Sequence, residues 1–163
     1  MKKELVRIEP VALLPTPSGC ALFLGDGEKI ILIYIDPSLG VSINVALQGE
    51  KAPRPLSHDL FHGFMGAFGA KVMRMVIVDA QDEVYFARLF IEAENELMQK
   101  KIVELDARPS DCIALCVRDK APMYVLENVW SGLNDVSELL MKMKDSQMGP
   151  EFQINEDEEG EDA

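Results

Sequence analysis

The chain has 163 residues, 48% of them hydrophobic, which is enough for one domain with a buried core. Its formal net charge is −12, from 28 acidic and 16 basic residues, and this balance argues against tight non-specific binding of duplex DNA. No stretch approaches the ~20 apolar residues of a membrane span, and no apolar run follows Met1-Lys2-Lys3-Glu4 as a signal peptide would, so a cytoplasmic protein is expected.

Leu5–Leu14 reads as a strand that breaks at Pro15-Thr16-Pro17-Ser18-Gly19. Cys20–Leu24 and Lys29–Ile35 flank Gly25-Asp26-Gly27, a hairpin signal. Asp36-Pro37 is a cap followed by a first-turn proline, so a helix should run to about Gln48 and stop at Gly49. After a loop over 50–55, Leu56, Leu60, Phe61, Phe64, Met65 and Phe68 recur at the helical period, and this stripe is expected in the core. Lys71–Asp79 and Val84–Ile91 read as strands around a polar turn. Ile102–Leu105 is a further strand, Cys112–Val117 a buried helix and Pro122–Leu126 a strand. Asp135 can cap a last helix from Val136 to about Lys144, with Val136, Leu139, Leu140 and Met143 on one face.

This order predicts an α+β fold: a mixed, largely antiparallel sheet with packed helices, in a single domain over residues 1–146. Residues 151–163 hold seven acids and no Lys or Arg, which leaves −5 for the rest, so 147–163 is expected to be a disordered acidic tail.

The run Asp106-Ala107-Arg108-Pro109-Ser110-Asp111 lies between an apolar strand and an apolar helix. Pro109 disfavours helix at Arg108, and Ser110 or Asp111 is expected to accept from the first-turn N–H groups. Carboxylates and a guanidinium thus gather where a strand meets a helix N-terminus, which suits a structural clamp or an anion or metal site. His58-Asp59 opens the aromatic helix, where the dipole favours the Asp59 charge and a neutral imidazole can act as base or ligand. Asp106 and Asp111 offer oxygens to a hard cation, Mg2+ or Mn2+, while Arg88 or Arg108 can hold a phosphate. Together these are the parts of cation-assisted phosphodiester cleavage. The candidate catalytic set is His58, Asp59, Asp106, Arg108 and Asp111, with Asp106 and Asp111 as metal ligands and Arg88 and Arg108 on the phosphate.

Each residue also has a plain structural role. Ser57, Ser110 and Asp111 are common cap residues, and Arg108 can clamp Asp106 to another carboxylate. Arg88 alternates with Val84, Phe86 and Phe90, where a charge needs a partner. His58 and His62 lack the further ligands of a zinc site, and Gly63, Gly66 and Gly69 belong to the aromatic helix, not to a phosphate loop. Cys112 and Cys116, one turn apart on an apolar helix, are expected as buried reduced thiols.

The segment Asp106-Ala107-Arg108-Pro109-Ser110-Asp111-Cys112-Ile113-Ala114-Leu115 resembles the signature of the bifunctional nuclease family. Arg54-Pro55-Leu56-Ser57-His58-Asp59-Leu60 resembles its second hallmark, and Val84-Tyr85-Phe86-Ala87-Arg88-Leu89 its middle segment, in the family's order and spacing. The resemblance implies nuclease activity on DNA or RNA, with nucleic acid as a transient partner. Together with the apolar content and open strand edges, it also leads to an expected homodimer. The alternative is a non-enzymatic homodimeric binding or regulatory domain whose polar motif is a clamp.

Removing the residues after Gly149 is expected to leave the melting temperature nearly unchanged and to strengthen nucleic-acid binding at low salt, because seven like charges are lost. A large drop in a thermal melt would count against a disordered tail.

Overall fold

Alternating apolar residues and well-placed turn residues fold the chain around one twisted sheet. The computed structural model describes residues 4–147, so the acidic segment assigned to 147–163 lies, beyond Gln147, outside the described residues. The elements are β1 (Leu5–Thr16), β2 (Gly19–Gly25), β3 (Ile30–Ile35), α1 (Pro37–Leu47), α2 (Ser57–Ala67), β4 (Ala70–Gln81), β5 (Val84–Glu94), β6 (Lys100–Ala107), α3 (Pro109–Asp119), β7 (Met123–Leu126), α4 (Glu127–Trp130) and α5 (Ser137–Gln147). The strand order is β3-β2-β1-β7-β4-β5-β6. Among the described residues only β4 and β7 pair in parallel, so the sheet is mixed and largely antiparallel, as the element pattern predicts.

Local chemistry sets the turns. Asp26 Oδ1 accepts the N–H groups of Glu28 and Lys29 at 2.9 and 2.8 Å and closes the β2–β3 hairpin. Asp82 and Glu83 take φ of 48° and 66°, a two-residue turn whose twist matches β4 and β5. β1 does not break at Pro15 but pairs with β2 as far as Thr16. The reason is that β7 covers β1 only over Leu5–Ile8; beyond that one edge is open, and a missing prolyl N–H is tolerated there. The short α4 follows β7 directly and buries Trp130, whose Nε1 donates to Asp26 of the hairpin turn.

The main core lies between one sheet face and α1, α2 and α3. Leu22, Leu24, Ile31, Met75, Ile77, Leu89 and Ile91 meet Leu39, Ile43 and nearly all of the first two turns of α3. Burial pushes the Cys112 thiol up to about 12 and also raises that of Cys116, so both remain neutral thiols. On the other face Leu140 and Met143 of α5, with Val136 just ahead of it, pack over Ala21 and Phe23. Asp135 Oδ1 caps α5 through Ser137 N and also accepts Ile30 N, which joins the helix to β3.

The aromatic stripe of α2 corrects a sequence expectation. Only Met65 is buried; Leu60, Phe64 and Phe68 are 70, 58 and 70% exposed, and Phe61 is 41% exposed. α2 sits at the margin of the helix layer, touching β4 and α3 along one narrow line, so most of its stripe faces outward.

Gly69 ends α2 at φ +71°, where an added Cβ would lie 2.4 Å from the Glu94 carbonyl oxygen. Gly69→Ala is therefore expected to cost about 2 kcal/mol or more. The loss should appear as a lower urea midpoint at unchanged slope.

Candidate functional site

Three helices begin at one place. α1 starts after Asp36, α2 after Leu56 and α3 after Arg108, and residues from all three starts line an open cleft of about 470 Å³. Asp36, Ser38, Ser42, His58, Arg108 and Asp111 are on its wall. The positive ends of three 11-residue helices therefore face one small volume, which favours an anion. Asp36 caps α1 by accepting the Ser38 N–H at 2.8 Å, and hydrogen bonds from Ser38 hold its carboxyl below the usual range.

Asp111 does not cap α3 as the sequence suggested, nor does Ser110. Both follow Pro109 inside the first turn, whereas a capping acceptor must precede it. Asp111 instead receives Arg108 Nε on Oδ2 at 2.7 Å and Arg108 Nη2 on Oδ1 at 3.3 Å. His58 Nε2 lies 3.0 Å from the same Oδ1, and His58 Nδ1 lies 3.1 Å from Ser42 Oγ. Ser42 Oγ also accepts Arg118 Nη2 at 3.0 Å. Arg118 can only donate, so the Ser42 proton is free for His58 Nδ1, and His58 Nε2 then donates to Asp111. The chain Arg118–Ser42–His58–Asp111–Arg108 is thus continuous from a buried cation to one that is 70% exposed.

Asp59 works underneath this chain. Its Oδ2 accepts the Leu56 N–H at 2.9 Å, half of a capping box, and its Oδ1 accepts Arg118 Nε at 2.8 Å. Arg118, 7% exposed, also donates to the Ala114 carbonyl at 2.7 Å. Burial alone would raise the Asp59 carboxyl, but the Arg118 and Leu56 hydrogen bonds and the Arg118 charge outweigh it and hold it low. Asp111 follows the same pattern: burial raises it, and Arg108 and His58 bring it below the usual range.

The remaining candidates stand apart. Asp106 pairs across the strands with Arg88, on the sheet face opposite Ala87, Leu89 and Ile91, which face the helices. Arg88 is 3.8 Å from Asp106 and 3.9 Å from Glu104, all well exposed. Arg108 therefore clamps Asp111 and not Asp106, and Asp106 reaches the site only at the rim of an adjoining hollow. That hollow, about 330 Å³, is walled by Phe61, Leu89, Leu105 and Leu115 and shares Ser57, His58 and Asp111 with the cleft. Asp106 and Asp111 both border this hollow, but Asp106 is paired with Arg88, and Asp111 is taken up by Arg108 and His58. Among the described residues no group of three or more His, Cys, Asp and Glu is arranged to hold a metal. His62 bonds Asp119, whose other oxygen accepts the Val72 N–H at 2.8 Å.

The family model of the bifunctional nuclease domain matches residues 22–136. The chain belongs to this family. It is 33% identical over 104 residues to an uncharacterised protein of Mycobacterium tuberculosis, a match covering 64% of this chain and 58% of the relative. It is 25% identical over 105 residues to bifunctional nuclease 1 of Oryza sativa subsp. indica, covering 64% of this chain and 31% of the relative. With bifunctional nuclease 2 of Arabidopsis thaliana the identity is 27% over 109 residues, covering 66% and 32%. The chain thus spans little more than half of the mycobacterial relative and about a third of the plant proteins.

All residues of the hydrogen-bonded chain lie inside the bifunctional nuclease domain match. Sequence reasoning missed Ser42, Arg118 and Asp36. For Arg118 a signal existed: it is the one cation of α3 and follows six apolar residues, Cys112–Val117, so it needs a partner when buried. Ser42 carried none, being one small polar residue between Leu39 and Ile43.

Asp59 and Asp111 both have folded pKa values below the unfolded value of ~3.9, so their stabilisation is complete above it and is lost as pH falls through the folded values. Urea midpoints are expected to hold from pH 7 to about 5 and fall below about 4. Asp111→Asn should cost about 1 kcal/mol at neutral pH and soften that acid limb. A midpoint flat down to about pH 2 would show that these bonds contribute little.

Proposed function

We propose that this domain binds and cleaves phosphodiester bonds of single-stranded DNA or RNA in the cleft where α1, α2 and α3 begin. One observation carries the reading: three helix N-termini converge beside Arg108, which spends only two of its five donors on Asp111. The other three donors and the helix ends are available to a phosphate, whose developing charge they would stabilise. His58 is the proton-transfer group: its Nε2–H, which faces Asp111, would turn to donate to the leaving oxygen, since such bonds commonly rearrange when substrate binds. Asp111 orients both groups, and Asp59 positions the turn that carries His58. The apolar hollow next to the cleft has room for an unstacked base, which favours a single strand over a duplex. Family membership and the nuclease names of the plant relatives support the same reading.

The pair Asp106 and Asp111 does not form a ready cation site. Dependence on Mg2+ or Mn2+ enters the proposal in one form, an ion brought with the substrate phosphates, because hydrated Mg2+ needs only one or two protein carboxylates. When bound, such an ion would supply charge neutralisation at the phosphate.

A second reading, a binding domain without catalysis, is favoured by the engagement of both His58 ring nitrogens inside the protein. Cleavage of single-stranded oligonucleotides with and without EDTA separates the two. Arg108→Ala and His58→Ala should each lower the rate about 100-fold or more. Arg88→Ala, on the other face of the sheet, should change it little. Equal rates in all three variants, or no cation-dependent cleavage by the wild type, would favour the binding domain.

A further inference from the structure

The exposed face of α2 is an interaction surface, and we infer that its partner is a second copy of this chain. The helix buries a single residue, Met65, while Leu60, Phe61, Phe64 and Phe68 are 41 to 70% exposed. Taking ~150–250 Å² for a whole aromatic side chain, these four leave on the order of 450 Å² of apolar surface open to water. A stable dimer covers ~800 Å² on each partner, with an apolar centre and a polar rim. The patch has the size of such a centre.

Charge selects the partner. Residues 60–70 contain no Asp, Glu, Lys or Arg, in a chain whose net charge is −12. Two copies of an acidic protein repel each other except across a face free of acids, and this face is one. The same lack of cations works against an anionic membrane, which recruits helices through Lys and Arg, and against a nucleic-acid backbone. Shape agrees. Gly63, beside Leu60 and Phe64 on the helix surface, has nothing within 4 Å of an added Cβ, so a second helix can approach the backbone closely along that side of the patch. A two-fold axis beside α2 would set the same residues of both copies against each other, as an isologous interface requires. α5, which leads into residues 148–163, packs on the opposite face of the sheet, with Gln147 bonded to the Pro15 carbonyl. The first turn of α2 carries His58 and Asp59, so the partner copy would brace the helix that carries the site. Dimerisation through α2 does not depend on the nuclease reading.

Size-exclusion chromatography with light scattering on the full chain at micromolar concentration tests it. The wild type should show about twice the 18.2 kDa chain mass. Phe64→Asp and Leu60→Asp, both on exposed positions, should return the mass to that of one chain while circular dichroism is unchanged. A concentration-independent wild-type monomer would overturn the inference. So would a dimer that survives both substitutions, because its interface would lie elsewhere. If both proteins are monomers and Phe64→Asp instead abolishes binding to neutral lipid vesicles or to a single-stranded oligonucleotide, the face belongs to that partner.

Discussion

The buried guanidinium of Arg118 holds the functional end of this molecule together. Arg118 sits in the last turn of α3, yet it bonds Ser42 of α1 and Asp59 of α2 as well as Ala114 of its own helix. A cation that is 7% exposed is tolerable only when such partners replace its water, so the three helices can pack only in the arrangement that supplies them. Three helix starts with like-signed dipole ends would otherwise have little reason to converge. Their convergence is what makes a cleft.

Charge in this cleft is graded from inside to outside. Arg118 is buried and engaged by three helices, His58 links a hydroxyl to a carboxylate, and Arg108 is exposed with donors to spare. Carboxylates lie next to each cation, so the site lacks the field of a basic groove and would hold an anion by placement of donors. That is consistent with the acidic balance of the chain, which argues against broad binding of duplex DNA. It also explains why Asp59 and Asp111 stay ionised although partly buried: each is held by more donors than burial can offset.

The helix that carries His58 is the least buried of those around the site. α2 has one buried residue, and its attachment rests on Met65 and on polar bonds through Asp59, His58 and His62. A helix this thinly packed gains little stability from its own core contacts, because tertiary burial supplies most helical stability in proteins. Its uncovered aromatic residues and the opening of its first turn onto the cleft are consequences of the same marginal placement.

Period and punctuation in the sequence determined most of the elements, though not the continuation of β1 past Pro15 or the short α4. Strand alternation, the Asp36-Pro37 start, the Gly25-Asp26-Gly27 turn and the Asp135 cap are local interactions, and each is satisfied where the residues stand. The motif from Asp106 to Asp111 and the pair His58-Asp59 were likewise legible as polar groups at helix starts. Three things were decided only by tertiary structure. Helical periodicity says that Leu60, Phe64 and Phe68 share a face but not what lies opposite it, and the margin of the helix layer leaves that face open. Strand alternation sends Arg88 and Asp106 to one side of a sheet, but only the packing of α1, α2 and α3 on the other side leaves Arg88 out of the cleft that Asp111 lines. The partners of Arg118 lie 76 and 59 residues away, in elements whose own patterns give no sign of it. Local sequence can specify a backbone because those bonds close within a few residues; it cannot specify this site, because a buried cation chooses its partners only after three separate helices have packed.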